Sequence, residues 1–560
     1  MNLLISFLSD LIAGLVGAAI LAALVFLSRK VGPELWRRWL DKLRRLIWPL
    51  LSLVFFSAAL TSAFLRGDTG SFVLVLALGA LLLVASVLVL MLRLGSVKIR
   101  RLEGFIRCHA WPVLSGIFFL STLVLLVDSV ERPPLRERIV FVVDLDNEEM
   151  IALKDILDRL EPKLGAKIFL MCVDSNRYVT RLDKMVARDA MKWDLIAVDN
   201  NMLGILGAKG LVEELSKYRE YAKLVPRSLL PSLRPLLKFE DKFHFVPFRP
   251  NVKIAFYNEK KFAQYGLQPP KNWDQLLEVA RVFKQKEGVC RVAIQGYPGK
   301  TTAVTVFEFV KSAGGNPLAL DDDGSKRAFN FLQELEPYLA REYVETKFDT
   351  ANELLIGDEI YLVSNWAYGI KVVVEDAGKT EIKAYPGWKG PESEVHVLGG
   401  DVLAVPKGAP HPNLAVKLME LLLSKECQQK LVSALGWPPA RLDVYDTIPT
   451  ELAPYFDAVN EALSFALARP TMPQWALLEN ALDHTFVDLI IKGKHISSLK
   501  EHSASLKKVP TQFIRYRVTT GDSLEAIADY HNTTVPVLAN LNCITSQKSV
   551  APGQILLVPR

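Results

Sequence analysis

Four stretches of the chain carry no Asp, Glu, Lys or Arg: residues 11–27, 46–65, 71–92 and 108–127. Each has about the length an α-helix needs to cross a hydrocarbon layer about 30 Å thick, where backbone polar groups must be satisfied within the segment. The pattern therefore predicts a four-helix transmembrane bundle over residues 1–132. Basic side chains cluster in the connections 28–45 and 93–107. The positive-inside rule puts those connections in the cytoplasm, with the N-terminus and everything after Asp128 outside. Beyond Pro133 and Pro134 the pattern changes. Apolar runs at 138–144, 167–173 and 193–198 read as buried strands, and helical periodicities separate them, which predicts an α/β layer structure. Asn272, with Gln275 three residues on, marks a helix start, and Leu276, Val279 and Phe283 fall on one face of that helix.

Composition sharpens this division. The chain has 560 residues, 50% apolar, with mean hydropathy +0.20 and net charge +6. Residues 1–132 hold 14 basic and 7 acidic side chains, leaving 53 and 54 for the remainder. A near-neutral external part speaks against a nucleic-acid surface. The five cysteines form no CxxC pair and the eight histidines no metal-ligand spacing, so neither a zinc site nor a cofactor is expected. Gly299-Lys300-Thr301 imitates the end of a phosphate loop, but Ile294 stands where its first glycine is required. Asp321-Asp-Asp-Gly324 imitates a calcium loop, yet Ala319 replaces the first ligand; a tight turn is the better account. No nucleophile or paired acid and base is identifiable, so no enzyme is expected.

A series of segments then occurs in a telling order. These are Lys242-Phe-His-Phe-Val-Pro-Phe-Arg-Pro-Asn251, Ala255-Phe-Tyr-Asn-Glu259, Pro269-Pro-Lys-Asn-Trp-Asp-Gln-Leu-Leu277, Ala313-Gly-Gly-Asn-Pro317, Gly357-Asp-Glu-Ile-Tyr-Leu-Val-Ser-Asn-Trp366 and Gly399-Gly-Asp-Val-Leu-Ala-Val-Pro406. Together they resemble bacterial extracellular solute-binding proteins of the maltose-receptor-like class, over residues 136–500. The resemblance implies two α/β lobes joined by a hinge that close on a ligand, in an ABC-type uptake or sensing system. Chain crossings are expected near residues 249–253 and 395–398, with a third later.

Sugars present apolar CH faces that stack on aromatic rings, and hydroxyls that need fixed polar partners. Trp366, which ends a strand and matches the family's stacking aromatic, is the first candidate contact, with Asn365 and Tyr368 beside it. Trp388 and Trp437 lie in Gly- and Pro-flanked loops, where they either face the cleft or pack in a lobe. Asp144 and Asp199 end strands, where they either accept sugar hydroxyls or cap helices. Arg249 either binds a carboxylate or crosses the lobe interface.

After a linker at 501–515, Tyr516-Arg-Val-Thr-Thr-Gly-Asp-Ser-Leu-Glu-Ala-Ile-Ala528 and Pro552-Gly-Gln-Ile-Leu-Leu-Val-Pro559 resemble a LysM module over residues 516–560. That resemblance implies a strand–helix–helix–strand fold and a groove for N-acetylglucosamine-containing glycan, chiefly peptidoglycan. Gly521, Asp522, Ser523, Leu524 and Ile544 are its expected contacts. The combined expectation is a multi-pass membrane receptor for an oligosaccharide, fixed to the wall by LysM and working with an ABC permease or a membrane sensor. The alternatives are a wall-to-membrane tether with a vacant cleft and, less favoured, a wall glycan hydrolase.

Overall fold

A computed structural model describes residues 137–219, 221–544 and 550–560. The chain opens with β1 (Arg138–Val143), α1 (Asn147–Leu164), β2 (Lys167–Cys172), α2 (Tyr178–Ala187), β3 (Leu195–Asp199) and α3 (Leu203–Lys209). Ile139, Phe141, Val142 and Val143 of β1 are buried, as expected of a strand covered on both faces. Asp146 caps α1 by accepting the Glu149 N–H at 2.8 Å, and Gly165 ends that helix in the left-handed conformation.

A 13-residue strand, β4 (Val246–Asn258), carries the chain onward to α4 (Trp273–Glu287), β5 (Val292–Ala293), α5 (Lys300–Ser312), α6 (Asp323–Leu335), α7 (Phe348–Ile356), β6 (Leu362–Trp366) and β7 (Ile382–Tyr385). The return strand β8 (His396–Ala404) leads to α8 (Pro412–Leu422), α9 (Lys425–Leu435), α10 (Ala453–Ser464), β9 (Ala466–Ala468) and α11 (Trp475–Phe486).

One nine-stranded sheet, in the order β2-β1-β3-β8-β4-β6-β5, runs through both lobes, with β9 added to β8 and β7 to β4. The parallel trio β1–β3 belongs to the first lobe, and β8 pairs antiparallel with both β3 and β4. The lobe boundary lies within β4, where pairing with β8 ends at Val252 and pairing with β6 begins at Lys253. A register shift after Asp401 bends β8 beside this point. Gly400 there has φ +92°, and a Cβ on it would lie 2.0 Å from the Arg249 carbonyl oxygen, so only glycine fits. The first lobe and much of the hinge share one large apolar core, while α4, α5, α6 and α11 build the core of the second lobe.

The last segment forms β10 (Phe513–Arg517), α12 (Leu524–Tyr530), α13 (Val535–Leu541) and β11 (Ile555–Pro559), with β10 and β11 antiparallel. Val518, Leu524, Ile527, Leu538, Leu556 and Val558 fill its small core.

The expected architecture needs correction at its first part. The described fold is two lobes and a small terminal module, without a membrane bundle: among the described residues no helix is long and apolar enough to cross a membrane. The longest described helix, α1, has 18 residues and is amphipathic, with Lys154, Asp155, Asp158 and Arg159 among its charges, as suits a helix with one face on an apolar core. The charge-free stretches at 11–27, 46–65, 71–92 and 108–127, and the multi-pass orientation read from them, fall outside the described residues.

Candidate functional site: the interlobe cleft

Where β1 and β3 end, and β4 and β8 cross towards the second lobe, the lobes enclose a cavity of about 810 Å³. Clefts at the carboxyl ends of strands, where strand order reverses, are the customary ligand sites of such sheets. One wall is anionic. It carries Asp144, just past β1, then Asp146, Glu148 and Glu149 on the first turn of α1, with Asp199 and Asp401 deeper in. The facing wall is aromatic, with Trp366 at the end of β6, Tyr368 and Phe348.

Arg249 organises the floor. Its guanidinium bonds Asp401 Oδ2 at 2.9 Å and Glu149 Oε1 at 3.1 Å, and it lies 4.6 Å from the ring centre of Trp437. Trp437 Nε1 also donates to Glu149 Oε1, at 2.9 Å, so the acceptor, the guanidinium and the indole hold one another in place. Burial pushes the Asp401 carboxyl up to about 6; the neighbouring Arg249 opposes this shift, and Asp199 and Glu149 add to it. The Tyr368 hydroxyl donates to Asp349 Oδ1 at 3.1 Å, and burial first, then that carboxylate, raises its pKa.

Trp366, Tyr368, Trp437, Asp144, Asp199 and Arg249 thus come together around the cleft. Each of the last three also has a structural duty. Asp144 accepts the Ser175 N–H at 2.8 Å; Asp199 caps the next turn through Asn201 and pairs with Arg469 at 2.6 Å. Trp437 is almost wholly covered, edge-on to Phe248, and serves as wall rather than platform.

Two candidates lie elsewhere. Asn365 precedes Trp366 on the same strand, so the pleat points it to the opposite face. There it is fully buried, bonding Phe348 O, Asn352 Oδ1 and Gln295 Nε2. Trp388 sits in the core of the second lobe. Residues not singled out from the sequence are Glu149, Phe348, Asp349 and Asp401. Glu149 was visible only as an acidic first-turn residue of a helix, and Asp401 as the end of the Gly399-Gly400 pair. Among the described residues no group of three or more His, Cys, Asp or Glu side chains is placed to hold a metal ion.

In the terminal module, Gly521 has φ +96° at the turn. Asp522 Oδ2 accepts the Thr519 N–H at 2.7 Å and the Tyr516 hydroxyl at 2.8 Å. Ser523 caps α12, Leu524 is in the core and Ile544 packs at its edge.

These features define a two-lobed protein of the periplasmic-binding type with a lined cleft between its lobes. The profile of the bacterial extracellular solute-binding proteins matches residues 160–457, more than half of the chain, and the chain belongs to that family. The LysM domain profile matches residues 516–559. An ABC transporter extracellular-binding protein of Pyrococcus horikoshii is 24% identical over 246 residues, 41% of this chain and 55% of that protein. A mannitol-binding protein of Pseudomonas aeruginosa is 27% identical over 165 residues, 28% of this chain and 37% of that protein. The chain thus spans about half or less of the length of these curated relatives. Among solved structures, the maltose-bound MalE3 of T. maritima superposes with a TM-score of 0.59 at 20% identity, over 66% of this chain and 99% of that one, a likeness of fold.

Proposed function

We propose that the chain is an extracytoplasmic receptor that holds a sugar or oligosaccharide reversibly between its lobes and releases it unaltered. In this reading it serves an ABC-type uptake or sensing system, with a permease or membrane sensor as partner, and the LysM module attaches it to peptidoglycan. The observation that carries the reading is the pairing of walls. Trp366, Tyr368 and Phe348 offer rings to the CH faces of a pyranose, while Asp144, Asp146 and Glu148 opposite them offer acceptors to its hydroxyls. Ligand contacts made to both walls at once favour the closed lobes, which is how such receptors report occupancy.

A thermal-shift screen of the full chain against a glycan panel tests this, since a ligand that binds only the folded state raises the melting temperature. A glycan hit that Trp366→Ala abolishes supports the reading. Chain cleavage of a bound glycan would turn it into an enzyme. No hit, with wall association intact, would make it a tether with a vacant cleft.

A second reading has its own support. The cleft is lined by the carboxylates of Asp144, Asp146, Glu148, Glu149, Asp199, Asp349, Asp376 and Asp401 against only two cations, Arg249 and Lys371. That imbalance suits an amine-bearing solute, so the panel includes spermidine and putrescine. Shifts from these alone, weakening as salt rises, would replace the sugar.

A further inference from the structure

The LysM module is not hung on a free tether. A helix at Leu499–Leu506 packs on α11 in the second lobe, and Lys507 pairs with Asp321 of that lobe at 2.7 Å. The chain then passes to the first lobe, where Arg515 Nε donates to the Ala208 carbonyl of α3 at 2.6 Å. Residues 508–514 are therefore a further covalent crossing between the lobes, outside the three of the binding fold. A cavity of about 530 Å³ separates this crossing, at Thr511 and Phe513, from the preceding one at Thr471–Gln474.

The module seats on the first lobe through buried polar contacts. Asp183 of α2 pairs with Lys209 at the end of α3 at 2.5 Å, both side chains almost wholly excluded from water, and its other oxygen accepts the Ile555 N–H of β11 at 3.2 Å. Thr180 donates its hydroxyl to the Cys543 carbonyl at 2.9 Å. A Cβ on Gly553 would stand 3.0 Å from Ala187 O, so the two backbones are in contact. Leu541 and Leu557 join the apolar core of the first lobe. On its other side, α13 packs on α11, which belongs to the second lobe. Close by, Lys300 of the second lobe reaches Asn176 of the first at 3.3 Å.

We propose that the LysM module is a strap across both lobes that sets the angle between them, so that glycan in its groove and solute in the cleft are linked ligands. The linkage rests on the LysM reading above; the strap rests on the contacts alone. Buried polar bonds make the module move with the first lobe. Any hinge rotation must then slide α13 over α11 and strain residues 508–514, so the module stabilises one interlobe angle over others. Ile544, an expected groove residue, directly follows Cys543, whose carbonyl is held by Thr180. Glycan entering there bears on α2, and linkage makes the effect reciprocal.

The test uses the full chain with a fluorophore pair at Asp158 and Lys286, exposed positions on the first and second lobes, attached through unnatural residues so that the native thiols stay untouched. Arg515→Ala and Ala187→Arg each loosen the seat at a different end, so one misfolded protein does not decide the outcome. Loosening is expected to broaden or shift the interlobe distance distribution, and distributions that superimpose on the native one overturn the strap. N-acetylglucosamine tetramer is expected to shift the native distribution and to leave the loosened ones unmoved. Tetramer that binds without a shift overturns the linkage. Tetramer that fails to bind, by calorimetry, overturns the LysM reading and the linkage with it, whereas the comparison of native and loosened chains still decides the strap.

Discussion

Arg249 on β4 and Asp401 on β8 are cross-strand partners, and their side chains close on each other at 2.9 Å on the floor of the cleft, beside the lobe boundary. Because burial lifts the Asp401 carboxyl to about 6, the folded protein keeps its proton over a range in which the unfolded chain has lost it. The stabilisation from this group is complete below the unfolded value, near 4, and is lost as pH rises through about 6. Unfolding free energy measured across pH 4–7 should therefore carry a downward component of about 2 kcal/mol from this site. Asp401→Asn should flatten that component; an unchanged slope would show that another group titrates there.

Replacing Trp366 by Ala should weaken the cleft ligand at least about tenfold, from the loss of a stacking surface worth on the order of 1.5 kcal/mol or more. Melting should move less than binding does, because the ring keeps part of its surface open at the cleft edge, where it packs over Gly399. Calorimetric titration with the ligand found in the screen measures the first effect, and a denaturation curve the second.

Asn365→Ala should do the reverse. The side chain sits among Gln295, Asn352 and the Phe348 carbonyl, and its removal strands buried partners. The cost should be about 1–3 kcal/mol, read as a lower urea midpoint, while the molecules that remain folded keep their ligand affinity within about threefold.

Neighbouring residues on one strand thus have opposite fates, and this marks how far the sequence was legible. The strands of the first lobe stood out as unbroken apolar runs, and the terminal module as a near-complete motif. Trp366 was reachable because an aromatic at a strand end in this family context points to one place. Asn365 lies off the cleft because the period-two pleat, not proximity along the chain, decides which face a strand residue takes. Trp388 and Trp437 share the same kind of loop, yet one is core and the other cleft wall, since burial depends on what packs over a loop. Glu149 and Asp401 were out of reach for a related reason. Their role comes from Arg249, 100 and 152 positions away along the chain, brought to Asp401 by sheet register and to Glu149 by the placement of the first turn of α1.

Lys209→Met should cost about 3–5 kcal/mol, because it leaves the Asp183 carboxylate buried without its cation. The loss should fall on the seat of the terminal module as well as on the first lobe. Limited proteolysis of the 508–514 crossing should speed up in the variant, and equal cleavage rates would show that this ion pair does not hold the module.

Ser523→Ala should remove the cap of α12 and lower stability by about 1 kcal/mol. Binding of N-acetylglucosamine tetramer at saturating folded protein should persist if the residue only caps, and should fall several-fold if its hydroxyl also meets the glycan.

A strand that starts in one lobe and finishes in the other also limits how the molecule can be divided. β4 supplies pairing edges to β8 on one side of Val252 and to β6 and β7 on the other, so neither lobe owns a complete sheet. Fragments made by cutting within residues 246–258 or 396–404 would each expose raw strand edges and aggregate. A split protein that reassembles into a working sensor would have to be cut in a surface turn such as Gly266–Pro270, where both pieces keep their strands whole.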